Sequence, residues 1–371
     1  MKKLLLFLVV FTFSISGFSQ NFFREDFNHH KKYVILTNPT VNNLKTIQYL
    51  VNARLLDVAR KVKFVGVYYE GQNYNFGKTR KYIDEKGLKN FFLFEIRGAL
   101  NESNIYKDNA CTADLKTIFE NSVGVFFFDG PDIPPAIYGK ENTRSVVTDP
   151  NRHLFEATFL YHLLGGFQHE NYQPLLDEKP GYLVTGFCLG MQTMNIATGG
   201  TLIQDIPAEL YGAKTPEEAL KIGRTNLHHN YWKDIDNDTL LMSCNLHTLT
   251  FTDNPFFGNV VNVPKRWNPR VYSNHHQATE KLGKGMEVTA VSPDGKIVEG
   301  LVHERFPNVF AVQFHPEVPA LYEDLYVRKF HPEDEPLSYN DIIGKQSVKF
   351  HERYWDHISE IIRKAKNKVK K

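Results

Sequence analysis

A thiol held between two glycines is the place in this chain where chemistry is most readily written. Cys188 lies in the run Gly186-Phe187-Cys188-Leu189-Gly190, followed by Met191-Gln192. Residues 181–185 ahead of it read as a buried β-strand, and 191–198 behind it read as a helix closed by Gly199-Gly200. Glycines two residues to either side suit a tight strand-to-helix turn with a strained, exposed central residue, the cysteine version of the GxSxG elbow. A helix N-terminus stabilises a thiolate through its unpaired N–H groups and dipole. The same residues also describe a buried cysteine beside glycines kept for packing, so the motif has to be weighed with the rest of the chain.

A partner for the thiol stands near the other end of the sequence. Residues 309–315 form an apolar strand that delivers His315 to its C-terminal end, where Pro316 stops it, and Glu317 follows two residues after the histidine. In extended chain, residues two apart share a side, so the carboxylate can hold one ring nitrogen of His315 and leave the other for the thiol. Nucleophile, base and orienting acid make a triad for acyl transfer. Taken alone, a histidine and a glutamate around a proline also describe a turn with a capping Glu.

Three such residues need a scaffold that brings distant strand ends together. Strand-like runs at 33–37, 63–69, 90–96 and 123–128 alternate with helix-like stretches, among them 42–61 and 152–164. This alternation predicts an α/β fold: a mostly parallel central sheet with helices on both faces. Residues 205–270 are broken by Pro207, Pro216, Pro255, Pro264 and Pro269, and read as an irregular excursion over the sheet's C-terminal edge, where α/β folds bind ligands. From Ser338 a capped amphipathic pattern containing Trp355, Ile358, Ile361 and Ile362 predicts an extra C-terminal helix over 338–366. No linker is visible, so 20–371 is expected to form a single domain.

Several stretches resemble the class I glutamine amidotransferase-like hydrolases, in particular their gamma-glutamyl hydrolase and gamma-glutamyl-gamma-aminobutyrate hydrolase branch. GFCLGMQ at 186–192 is similar to the family's nucleophile motif, and ATGGTLIQDI at 197–206 to the segment after it. Asn274-His275-His276-Gln277, then Leu282-Gly283 and Ser292-Pro293-Asp294-Gly295, resemble the branch's approach to its last strands, and VQFHPE at 312–317 resembles its His/Glu motif. The resemblance covers roughly 123–320. It implies Cys188 as nucleophile, His315 as general base and then acid, and Glu317 as the residue that orients His315. It also implies an oxyanion hole from the N–H of Leu189 and of Gly130, and a substrate pocket walled by Gln192, His276 and Gln277. The family usually shows a Pro-Gly-Gly run where this chain has Asp129-Gly130-Pro131; Pro131 has no N–H, so Gly130 itself has to be the donor. The branch also often places Arg after the cysteine, where Leu189 stands here. The implied reaction is hydrolysis of a small-molecule γ-glutamyl amide through a thioester, with no cofactor. A simple glutaminase and a catalytically weak binder of glutamyl compounds are the alternatives.

Composition narrows the partners. The 371 residues are 42% hydrophobic and 23% charged with a formal net charge of +2, which fits an ordinary globular protein and gives no basis for nucleic-acid binding. Lys2-Lys3, an apolar run at 4–13 and Gly17-Phe18-Ser19 before Gln20 match a secretory signal peptide at 1–19, so the protein is expected to be exported to a bacterial periplasm or the exterior. Ten apolar residues are too few for a membrane span. Cys111 and Cys244 could pair or remain two buried thiols; oligomeric state is left open. The 15 histidines show neither HExxH nor a helical pair joined to a carboxylate, and no metal site is expected. Gly77-Lys78-Thr79 lacks the glycine a P-loop needs at 72, which is Gln72.

Overall fold

The computed structural model describes residues 22–25, 27–28, 30–59 and 61–365. The expected signal peptide and the last residues of the basic tail lie outside them. A nine-stranded sheet organises the rest. In chain order its strands are β1 (Lys32–Thr37), β2 (Val62–Tyr69), β3 (Phe91–Ile96), β4 (Gly124–Phe127), β5 (Leu183–Phe187), β6 (Thr250–Phe251), β7 (Met286–Val291), β8 (Val298–His303) and β9 (Val309–Val312). Across the sheet they run β3-β2-β1-β4-β5-β9-β8-β7-β6. The pairings from β3 through to β9 are parallel, and those from β9 to β6 are antiparallel. The expected mixed α/β class with a mostly parallel sheet therefore holds.

Why the parallel strands read as continuous apolar runs is plain from their neighbours. Alternate residues face two separate cores: Tyr33, Ile35, Val125 and Phe127 on one side, Val34, Leu36 and Phe126 on the other. Helices α3 (Thr112–Glu120), α4 (Pro150–Leu164) and α5 (Leu189–Ala197) cover the first face. On the second lie α1 (Val41–Asn52) and α6 (Tyr339–Lys364), while α2 (Gly77–Glu85) packs beside α1. The C-terminal helix begins at its Ser338 cap, whose Oγ accepts from the Asp341 N–H at 3.1 Å, and bends at Gly344 (φ 72°). Its Phe350, Tyr354, Trp355, Ile358 and Ile362 are fully buried against the sheet.

Three boundaries differ from expectation. α1 ends at Asn52 rather than running to residue 61, because Ala53 closes it and Arg54 turns into the left-handed region (φ 59°). β5 spans Leu183–Phe187, two residues later than the strand read at 181–185. The 205–270 excursion is largely irregular as expected, yet it supplies β6 to the sheet edge and a separate ribbon in which Asn245–Thr248 pairs with Arg270–Ser273. Among the described residues, no helix is long and apolar enough to cross a membrane.

Candidate active site

Three neighbouring parallel strands, β4, β5 and β9, end on one edge of the sheet and there release the residues singled out by the sequence. β4 runs into Asp129-Gly130, β5 into Cys188, and β9 into the segment that carries His315. A cavity of about 390 Å³ opens at that edge, lined among others by Asn43, Asp129, Gly130, Cys188, Tyr272, Asn274, His315 and Glu317. It lies outside the carboxyl ends of the strands, where α/β sheets place their ligands.

Cys188 sits at the cap of α5 with φ 51° and ψ −105°, a conformation that side chains rarely adopt. Its backbone N–H donates to the carbonyl of Val312 at 2.9 Å, so the elbow is tied to the end of β9. The flanking glycines are explained by close approach rather than by dihedral freedom. A Cβ on Gly190 would stand 2.4 Å from the Phe127 carbonyl oxygen, and one on Gly186 would stand 2.7 Å from the Gly190 carbonyl carbon. α5 can start where it does only because neither residue has a side chain.

His315 Nδ1 and Glu317 Oε1 are 2.8 Å apart and buried. The reason differs from the one read in the sequence. β9 stops at Val312, so His315 and Glu317 lie in the turn beyond it, and the backbone N–H of His315 is held by the carbonyl of Tyr272 at 2.9 Å. Burial disfavours the imidazolium here, but the charges of Glu317 and Cys188 and hydrogen bonds to both outweigh it and raise the His315 pKa well above its ordinary value.

Sequence reasoning passed over Gln313, whose side-chain amide donates to Cys188 Sγ at 3.5 Å. The orientation of that amide follows from its neighbour. Gln192 Nε2 donates both to the Gln277 carbonyl (3.1 Å) and to Gln313 Oε1 (3.3 Å), so the remaining end of Gln313, its NH₂, is the one that faces the thiol. Gln313 lies inside the motif read for His315, and its closeness to Cys188 follows only from the pairing of β9 with β5.

The loop after β4 is held from behind by Arg152, a nearly buried residue on the first turn of α4. Its Nη2 donates to the carbonyls of Phe128 (3.0 Å) and Asp129 (2.8 Å), and its Nε to Glu156 Oε1 (3.1 Å), which Thr37 Oγ1 also approaches at 3.0 Å. With the Asp129 carbonyl fixed on the guanidinium, the planar trans peptide turns the Gly130 N–H away from Arg152. A Cβ on Gly130 would lie 2.1 Å from Arg152 Nη1. Leu189, the other expected donor, is the first residue of α5, where backbone N–H groups have no intrahelical acceptor. The Arg–Glu spacing of four was a signal in the sequence, although nothing there showed what the pair holds.

The residues expected to wall the pocket are placed elsewhere. Gln192 lies beneath the elbow, bonded to Gln313 as described. Gln277 is buried and donates to Ser145 Oγ at 2.8 Å. His276 lies between Asp132 (3.0 Å) and Asp205 (3.2 Å). None of the three lines the cavity at Cys188. Asn42, Asn43, Thr46 and Asn274 line it instead, with the Asn43 amide donating to the Asn38 carbonyl at 2.9 Å and Asn274 Oδ1 lying 2.9 Å from His229 Nδ1. Cys111 and Cys244 are free and buried, so the disulfide left open by the sequence is not formed; burial pushes their thiols up to about 12 and about 11. Behind the site, the structure gathers His228, His247 and Glu299, which the sequence keeps far apart.

Comparison with known proteins finds relatives over about half of the chain. The chain is 29% identical over 191 residues to protein NtpR of Enterococcus hirae, a match covering 51% of this chain and 64% of that protein. It is 29% identical over 194 residues to the glutamine amidotransferase-like protein YvdE of Lactococcus lactis, covering 51% of this chain and 63% of the relative. The chain thus spans less than two thirds of the length of these curated relatives. The model of the Peptidase C26 family matches residues 105–317, which runs from before β4 to the Glu317 of the site. With more than half of its length matched, and with the fold that class I glutamine amidotransferase-like proteins adopt, this chain belongs to the Peptidase C26 family.

Proposed function

We propose that this protein hydrolyses the amide bond to the γ-carboxyl of a glutamyl residue, with Cys188 as nucleophile. The reading rests on its family, whose chemistry is amide hydrolysis, and above all on one observation: the strained Cys188 elbow and the hydrogen-bonded His315–Glu317 pair face the same polar cavity. In the first half-reaction the Cys188 sulfur attacks the γ-carbonyl carbon, and the tetrahedral oxyanion is received by the N–H groups of Leu189 and Gly130. Collapse forms a thioester and breaks the C–N bond while His315 gives a proton to the departing amine. Water, losing its proton to the same histidine, then attacks the thioester and releases glutamate and the free thiol. Glu317 keeps the imidazole in the required orientation throughout.

Among the described residues, the cavity is lined by Asp129, Asn42, Asn43 and Asn274 and by no Lys or Arg. An α-ammonium group therefore meets a carboxylate and an α-carboxylate meets neutral donors. A site that matches buried charged groups with fixed partners discriminates strongly against substrates lacking them, by ~10⁴ compared with ~10² for changes on an apolar leaving side. The test is a panel of γ-glutamyl amines, γ-glutamyl dipeptides, α-linked glutamyl peptides and free glutamine, assayed for glutamate release. Release from γ-linked substrates alone is expected. Comparable cleavage of α- and γ-linked substrates would overturn the proposal in favour of a general peptidase, and turnover of glutamine alone would make the protein a simple glutaminase.

A further inference from the structure

Beneath the sheet edge that carries the active site, His228, His247 and Glu299 meet in the interior, each essentially without solvent exposure. His228 Nδ1 is 3.1 Å from Glu299 Oε1, and His247 Nε2 is 3.5 Å from the same oxygen. Despite these distances, neither nitrogen makes a hydrogen bond to it, and both oxygens of Glu299 remain without a partner. Buried polar atoms left in this way are costly and rare in folded proteins. An uncompensated cluster of this size calls for a group that satisfies all of its members at once.

We propose that His228, His247 and Glu299 form a zinc site that fastens the 205–270 excursion to the central sheet. A tetrahedral site with metal bonds of ~2.0–2.1 Å separates its ligand atoms by about 3.3 Å. The two N···O distances bracket that value, and the three ligand atoms all lie within 4.8 Å of one another. Two imidazoles and a carboxylate form a donor set well suited to zinc. The second shell agrees: His247 Nδ1 lies 3.0 Å from the Thr248 carbonyl, which can only accept, so Nδ1 carries the proton and Nε2 turns its lone pair inward. His275 repeats the arrangement, with Nδ1 2.8 Å from the Gln277 carbonyl and a buried Nε2 that has no partner; its ring is 4.8 Å from that of His228. It is the side chain available for a fourth position.

The consequence of such a site follows from what each ligand belongs to. His228 and His247 come from the excursion, while Glu299 is on β8, whose carbonyl at that residue accepts the N–H of Gln313 at 3.0 Å. The backbone carbonyl of His228 accepts the N–H of His275 at 3.0 Å. A zinc ion here would therefore brace the backbone from which Gln313 reaches Cys188, without touching substrate.

The full chain, purified without chelator, should contain about one zinc per molecule by elemental analysis. Stripping it should lower the thermal midpoint, zinc should restore it, and Co²⁺ in its place should give the visible ligand-field bands of a low-coordinate site. Glu299→Gln and His247→Ala should each lower the zinc content at least ~10-fold. Cys188→Ala should retain it, which separates this site from adventitious zinc on the catalytic thiol. Should a ligand variant fail to fold, the chelation and Co²⁺ measurements on the unaltered chain still decide. Less than a tenth of an equivalent of zinc after reconstitution, zinc lost in Cys188→Ala, or zinc retained when His228, His247 and Glu299 are all replaced would overturn the proposal.

Discussion

Arg152 donates to the carbonyl of Asp129 at 2.8 Å, the oxygen of the same peptide unit that carries the Gly130 N–H. Through this contact a residue on α4 that does not line the cavity sets the direction of the N–H of Gly130, a residue that does. Arg152 also carries Glu156, itself fully buried, so removing the guanidinium has two separable effects. Arg152→Ala should cost about 3–5 kcal/mol of stability, because it leaves a buried carboxylate unpaired. Arg152→Met combined with Glu156→Gln should recover most of that stability in urea unfolding. The turnover number of the double variant should nevertheless stay ~10² or more below the parent, with a smaller change in KM, as expected when an oxyanion donor is no longer fixed. Recovery of both stability and rate would show that the pair is only structural.

Packing around the elbow gives a sharper expectation than its strain. Gly190→Ala places a methyl group 2.4 Å from the Phe127 carbonyl oxygen, which belongs to a strand held on both sides. No side-chain rotation relieves that contact, so α5 must shift away from β4. A loss of ~3 kcal/mol or more, or a failure to fold, is the expected result, to be read from unfolding midpoints. Gly212→Ala is a useful comparison. Nothing lies within 4 Å of a Cβ there, and its φ of 69° alone leaves a cost of ~1 kcal/mol.

Elements buried on both sides were readable because their apolar runs leave no other choice: β1 to β4 are continuous hydrophobic stretches between two cores. The order of Cys188, His315 and Glu317 was readable for a different reason, namely that each lies at or just beyond a strand end marked by glycine or proline. What escaped depends on pairing across the sheet. β6 is two residues long and has no pattern of its own, and the two-residue offset in β5 becomes visible only in its register with β4 and β9. Arg152, Gln313 and the His228–His247–Glu299 cluster acquire meaning only from partners that the fold brings to them. Gln192, His276 and Gln277 were placed at the pocket by resemblance, and resemblance carries position along the chain but not which way a side chain points.

Thiol chemistry separates Cys188 from its two companions. Cys111 and Cys244 are fully buried with thiols pushed far up, whereas Cys188 lines a cavity beside a charged histidine. Iodoacetamide at pH 7 should modify one cysteine in the native protein and three after denaturation, with Cys188 identified by peptide mapping. Cys188→Ala should abolish both native labelling and turnover while leaving the unfolding midpoint within about 1 kcal/mol of the parent. Glu317→Gln should keep a hydrogen bond to His315 but lose the charge, so its rate should fall by less than that of His315→Ala. The reverse order of severity would show that the roles of these two residues have been misassigned.

His276 gives the protein a dependence on alkaline pH that can be isolated. It joins Asp132, two residues beyond Gly130, to Asp205, which caps the short helix Ile206–Tyr211 by accepting from Ala208 at 2.8 Å. Burial works against its imidazolium, but hydrogen bonds and charge from both carboxylates outweigh it and raise the pKa to about 9. A histidine whose folded pKa lies above its unfolded value of ~6.5 contributes stability in full below that value and loses it as pH climbs through the folded one. His276→Gln should therefore be less stable than the parent at pH 6, and the gap should narrow between about pH 6.5 and 9 and be nearly closed at pH 10. Urea midpoints of the two proteins at pH 6, 8 and 10 measure this directly. A gap that stayed constant or widened with pH would mean that His276 does not hold Asp132 and Asp205 together through its charge.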